Sequence, residues 1–175
     1  MLVPQTGIRN ASTMIEIIPN WHPIFVHFTV ALFSVSVILY ALIYFASNTR
    51  WKINPFIVEL EIVARWCLWL AALSTIATVS AGFYAFYTVK YGAMAHAVKV
   101  IHRNWALATA SAIVLVAFWM VWRYIKHQKP TLVFLMALLF VQVLLLTTAW
   151  YGAELVYRHG YGVLPVTAEK TVSPH

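Results

Sequence analysis

Charged side chains come in short bursts along this chain, and between the bursts lie long stretches that have none. Positions 23–46, 66–89, 105–122 and 131–153 contain no Asp, Glu, Lys or Arg. At about 1.5 Å per residue, some 20 apolar residues in a helix cross the roughly 30 Å hydrocarbon core of a bilayer. The pattern therefore predicts four transmembrane helices, near 23–46, 60–89, 100–125 and 131–157. Pro23 suits a first helical turn, where its missing N–H would have no partner. Gly160 suits a helix stop. Short connections between four spans force an all-α, up-down-up-down four-helix bundle in the membrane. The bundle is expected over residues 21–163, preceded by an extension at 1–20 and followed by a polar tail at 164–175. Residues 1–20 lack the basic start, compact apolar core and small-residue cleavage site of a signal peptide.

Composition strengthens this reading. The chain is 62% hydrophobic and 10% charged, with a mean hydropathy of +0.78. Soluble domains carry about a quarter charged residues. The net charge of +7 is scattered over loops and helix ends, which fits membrane topology and argues against nucleic acid. The single cysteine, Cys67, excludes an internal disulfide and a C-x-x-C-H haem attachment, and suits a small buried hydrophobe.

Both termini and the loop 90–100 should share one face of the membrane, side A, with the other two loops on side B. Arg50, Lys52, Arg65, Arg123, Lys126 and Lys129 lie in or beside the two short side-B loops. Short basic loops favour the cytoplasm, so side A is expected to be periplasmic. Trp21 and Trp105 on side A, and Trp51, Trp66, Trp119 and Trp122 on side B, suit interfacial anchors. Glu61 and Arg65, and Glu154 and Arg158, have the i,i+4 spacing of helical ion pairs. Ser74, Thr78 and Gly82, with Ala77, Ala81 and Ala85, give the second helix small residues for close packing. No internal repeat is visible.

The candidate chemistry lies in the histidines. Five of seven, His22, His27, His96, His102 and His159, fall at or near side A. His22 and His27 are five residues apart, about 140° around a helix, and cannot both face one point. Helices one and three of such a bundle are diagonal neighbours, so imidazoles on them can reach a plane from opposite sides. A six-coordinate haem iron needs that arrangement. His27 and His102 are the expected axial ligands, with His22, His159 and His96 as alternates. Arg103, Arg158 and Lys99 stand where haem propionates need cations. Copper or zinc through neutral imidazoles remains an alternative, although no H-x-x-x-H or H-E-x-x-H spacing is present.

His22-Pro23, Val26-His27-Phe28, Gly82, His102 with Asn104, and Gly152-x-Glu154-Leu155-Val156-Tyr157-Arg158-His159-Gly160-x-Gly162-Val163 carry a resemblance. The chain resembles, over about 21–163, a family of four-helix bacterial membrane proteins known as domain of unknown function 2231. An acid usual soon after Gly82 is replaced by Phe83-Tyr84-Ala85, and Ala153 stands where a second glycine is usual. Relatives fused to Rieske or c-type cytochrome domains imply electron transfer in the bacterial inner membrane. The expected function is thus a haem b subunit relaying electrons to or from a Rieske or c-type cytochrome partner, other membrane subunits or a quinone. No nucleophile elbow, phosphate loop or carboxylate pair suggests independent turnover. A cofactor-free anchoring subunit of a redox complex is the alternative.

Overall fold

The computed structural model describes residues 21–47, 55–88 and 95–161. Four helices account for nearly all of them: α1 (His22–Ser47), α2 (Pro55–Thr88), α3 (Ala95–Ile125) and α4 (Leu132–His159). The protein is an all-α, multi-pass membrane bundle. α1, α3 and α4 are each long and apolar enough to cross a bilayer, whereas α2 carries Glu59, Glu61 and Arg65 in its first third before its charge-free stretch. α2 and α3 both begin about five residues before the charge pattern suggests, because their opening turns carry the charge. The expectations placed on 1–20, 48–54, 89–94 and 162–175, Trp51 among them, lie outside the described residues.

Each helix packs on two neighbours. α1 contacts α2 and α4, α3 contacts α2 and α4, and α1 and α3 face each other across the diagonal. The core is a single layer of side chains, with Phe33, Tyr40, Leu68, Ile113, Met120 and Leu138 among the most buried. The outside is apolar as well. Phe45, Leu73, Leu115, Phe118 and Phe140 are all well exposed, as befits a surface solvated by lipid. The ring of Trp119 packs edge-on against the buried Phe134 at 5.3 Å.

The bundle is a repeated helical hairpin, contrary to the expectation of no internal repeat. The buried positions 29, 33, 36, 37, 40 and 43 of α1 recur eighty residues later in α3, at 109, 113, 116, 117, 120 and 123. Ala64, Leu68, Ala71, Thr75 and Ala85 of α2 recur seventy residues later in α4, as Phe134, Leu138, Val141, Leu145 and Leu155. The register repeats although the side chains mostly differ. Parallel repeats of this kind are related by an axis along the membrane normal.

Side-chain size separates the two halves. α1 packs most closely on α2, where Ala64 and Ala71 are small enough for the Ser36 hydroxyl to donate to the Ala64 carbonyl at 2.9 Å. The corresponding places on α4 hold Phe134 and Val141, which keep α3 further off. Small residues at such a seam let backbones approach.

At the side-A end, carbonyls left over in the last turn of α2 find donors from other helices. Lys99 Nζ donates to Phe86 O at 2.5 Å, and the Tyr161 hydroxyl donates to Ala85 O at 3.0 Å. α4 begins on Thr131, whose hydroxyl accepts from the Phe134 amide. It ends on Gly160 in the left-handed region, φ 60°, where the Gly160 N–H donates to Val156 O and the Tyr161 N–H to Leu155 O, each at 3.0 Å.

Candidate functional site

A cavity of about 580 Å³ opens between the side-A ends of the four helices. It lies within the size range of small-molecule and cofactor sites. Its walls are largely apolar, with Val26, Val79, Ala106 and Ala149 among them, and six of its polar groups form matched pairs from the two hairpins.

The first pair is His22 and His102, one at the start of α1 and one in the second turn of α3. Their ring centres are 6.3 Å apart across the diagonal, with planes crossing at 81°. The His22 Nδ1 lies 2.9 Å from Thr78 O, and the His102 Nδ1 lies 3.1 Å from Thr148 O. A carbonyl can only accept, so in each neutral ring Nδ1 carries the proton and Nε2 carries the lone pair. This tautomer, with Nδ1–H held by a backbone carbonyl, is the one a metal-ligating histidine adopts.

Glycines make the approach possible. A Cβ on Gly82 would lie 3.0 Å from the His22 ring, and one on Gly152 would lie 3.2 Å from the His102 ring. Gly82 is one turn beyond Thr78, and Gly152 is one turn beyond Thr148. Each imidazole therefore sets its Cε1–Nδ1 edge close to a glycine while bonding the carbonyl one turn back.

A second pair of contacts fixes the helices that carry the histidines. The Thr78 hydroxyl donates to Ser74 O, so the Thr29 hydroxyl donates to Thr78 Oγ1 at 2.9 Å. In the other hairpin, the Thr148 hydroxyl donates to Leu144 O and receives from Thr109 at 2.8 Å. Two residues repeat on each partner, a histidine seven before a threonine and a threonine four before a glycine.

Cations sit at the mouth on one side. Lys99 is only 3% exposed and holds its ammonium 4.0 Å from the Phe86 ring centre. Arg103 also lines the cavity, over the same ring at 5.3 Å, with its guanidinium donating to Asn104 Oδ1.

The other histidines expected to contribute lie apart from this pair. His27 reaches only the rim: its side chain is exposed, and its Nδ1 bonds the Pro23 carbonyl of its own helix at 2.5 Å. His96 is exposed at the start of α3, and His159 is half-buried at the last residue of α4. Arg158 forms the expected pair with Glu154 at 3.2 Å, but its side chain is 72% exposed and outside the cavity lining. Glu61 and Arg65 do not pair. The Arg65 guanidinium lies instead over the ring of Tyr124, at 4.2 Å.

The sequence suggested His27 with His102, and His22 as an alternate; the structure brings His22 to His102 across the diagonal, and both threonine pairs went unforeseen. The signal was present as a direction around α1: Thr29 and Phe33 face the core, and His22 is one heptad before Thr29. Gly82 was read as helix packing and as part of the family resemblance, and Gly152 only as part of a motif. Their contacts with imidazoles were not legible without the register between helices.

Four helices, three of them long and apolar enough to cross a bilayer, with a paired-imidazole cavity at one end define a polytopic helical membrane protein. The chain belongs to the family described as "Predicted membrane protein (DUF2231)", which matches residues 19–165. No curated protein and no solved structure matches the chain.

Proposed function

We propose that this protein is a haem b carrier of the membrane, with His22 and His102 as the axial ligands, and that it acts as an electron-transfer subunit. The His22–His102 pair carries the reading. Two metal–nitrogen bonds of about 2 Å, with roughly 1 Å from each nitrogen to its ring centre, set about 6 Å between a coaxial pair of imidazoles. The observed 6.3 Å agrees. His22 takes the place that sequence reading gave to His27, because it alone of the two faces the cavity with its Nδ1 held by another helix.

Haem bound here would supply one-electron chemistry, and the chain's own residues would hold and orient it. Thr78 O and Thr148 O fix the tautomer and raise the basicity of the opposite nitrogens. Gly82 and Gly152 keep the rings back against α2 and α4, leaving the diagonal open. Lys99 and Arg103 offer donors for carboxylates at the water boundary. A redox partner such as a Rieske or c-type cytochrome domain, or a quinone, would then exchange electrons at the side-A end.

The donor set favours a macrocycle over a bare ion. Among the described residues no three His, Cys, Asp or Glu come together, whereas zinc sites take three or four protein ligands. A lone copper ion between two imidazoles would leave most of the 580 Å³ empty.

The test is haem uptake by purified protein. Hemin titrated into the wild type should saturate at one per chain and give a six-coordinate spectrum with sharp bands on reduction. His22→Ala and His102→Ala should each lose that spectrum, and His27→Ala should keep it. Absence of a Soret band at saturation, or an unchanged spectrum in both single variants, would remove the reading.

A further inference from the structure

Away from the histidine cavity, the opposite half of the bundle carries a second recess. It is an apolar groove of about 240 Å³ between α2 and α3, lined by Trp69, Leu73, Ile76, Val114, Phe118 and Val121. Leu73 and Phe118 are among the most exposed large apolar side chains of the described residues, so the groove faces the lipid. Next to Trp69, at its side-B end, stands Arg65, whose guanidinium lies 4.2 Å from the Tyr124 ring centre and 5.6 Å from that of Trp69. We infer that this groove is a binding site for one anionic phospholipid, its phosphate on Arg65 and one acyl chain along α2 and α3.

Three observations select this occupant. Arg65 has no carboxylate: among the described residues the Glu154–Arg158 pair is the one ion pair, and Glu61 stays out of reach despite its i,i+4 spacing. A cation at a bundle end without a counter-ion favours an anion. The donors at this mouth are also unmet, because Arg65 Nε and Trp69 Nε1 are both covered and neither reaches an acceptor. A phosphodiester has only acceptors to offer, and a small turn of either side chain would bring them together.

Length supplies the third. From Arg65 to Ile76 α2 rises about 16 Å at 1.5 Å per residue. That is the depth of one leaflet in a hydrocarbon core of roughly 30 Å. The groove thus begins where a head group sits and ends near the midplane, where an acyl chain ends.

Native mass spectrometry of the full chain in mild detergent tests this, with dioleoyl phosphatidylglycerol and dioleoyl phosphatidylcholine added in turn. The expected result is one tightly held phosphatidylglycerol per chain, preferred over phosphatidylcholine by about tenfold, the discrimination typical of one charge-assisted contact. Arg65→Gln should abolish the preference, while Lys126→Gln should retain it. Ala72→Phe, which fills the groove and leaves Arg65 in place, should reduce binding of both lipids. Thermal unfolding of each variant confirms that it is folded, and Arg65→Lys, which keeps the charge, should keep part of the preference. Equal binding of the two lipids, or a preference that survives Arg65→Gln, would overturn the inference. Full competition by glycerol phosphate would also overturn it, because that anion fills the mouth without the groove.

Discussion

Gly82 and His22 touch so closely that a methyl group on the glycine would lie 3.0 Å from both Cε1 and Nδ1 of the imidazole. Gly82→Ala must therefore push His22 off the Thr78 carbonyl or part α1 from α2. Overpacking of this kind costs about 1–3 kcal/mol. Gly152→Ala meets His102 at 3.2 Å and next at 3.6 Å, so its effect should be milder. Hemin affinity should fall in both, and further in Gly82→Ala. Equal affinities in wild type and Gly82→Ala would show that His22 need not lie against this helix.

The threonine pairs offer a test of the repeat. Thr29 and Thr109 make the same bond, at 2.9 and 2.8 Å, to threonines in equivalent places. Thr29→Val and Thr109→Val should then lower stability by similar amounts, about 0.5–1.5 kcal/mol each. Unfolding in mild detergent reads the difference. A large gap between the two variants would mean that the hairpins share a register but not an energetic role.

The α1–α2 seam should be less forgiving than its counterpart. Ala64 is fully buried beneath Ser36, so Ala64→Phe, which copies the residue of the second hairpin, has no room. We expect a loss at the upper end of the ~1–3 kcal/mol range for overpacking. The reverse exchange, Phe134→Ala, should cost about 3–5 kcal/mol through the cavity left beside Tyr40 and Trp119, both within ring contact of Phe134. Thermal unfolding of the two variants checks both.

Gly160 closes α4 at φ 60° with open space around it. Gly160→Ala therefore tests backbone strain alone, about 1–2 kcal/mol for a residue with a side chain in the left-handed region. The loss should appear as fraying of the last turn by hydrogen exchange, with the His102 environment unchanged.

Topology gives an independent check. Reporter fusions at positions 49 and 129 should agree with each other and disagree with one at position 93. The side-B fusions are expected to report the cytoplasm, as the short basic loops suggest.

Much of this architecture was legible because charge is forbidden where lipid meets helix, so its absence marks the spans directly. The diagonal placement of helices one and three followed from loop length alone. The preference for His27 over His22 weighed depth along the helix and not direction around it. His27 is the deeper of the two, but it lies on the face away from Thr29 and Phe33. The repeat escaped for a different reason. Lipid and core accept almost any apolar side chain, so Tyr40 and Met120, or Ala64 and Phe134, hold equivalent places without resembling each other. What stays alike is the chemistry that packing cannot replace, namely His22 and His102, Thr78 and Thr148, and Gly82 and Gly152.

That matched set bears on which way up a guest would lie. A flat ligand gripped on the axis between two equivalent hairpins meets nearly the same wall from above and below, and the grip alone cannot tell its faces apart. The distinction has to come from places where the hairpins part company. Pro23 stands in α1 where Arg103 stands in α3, so among the described residues lining the cavity the lysine and arginine both belong to α3. The even half of the design would hold the ring, and the uneven half would set its orientation, drawing acidic substituents toward α3 and the end of α2.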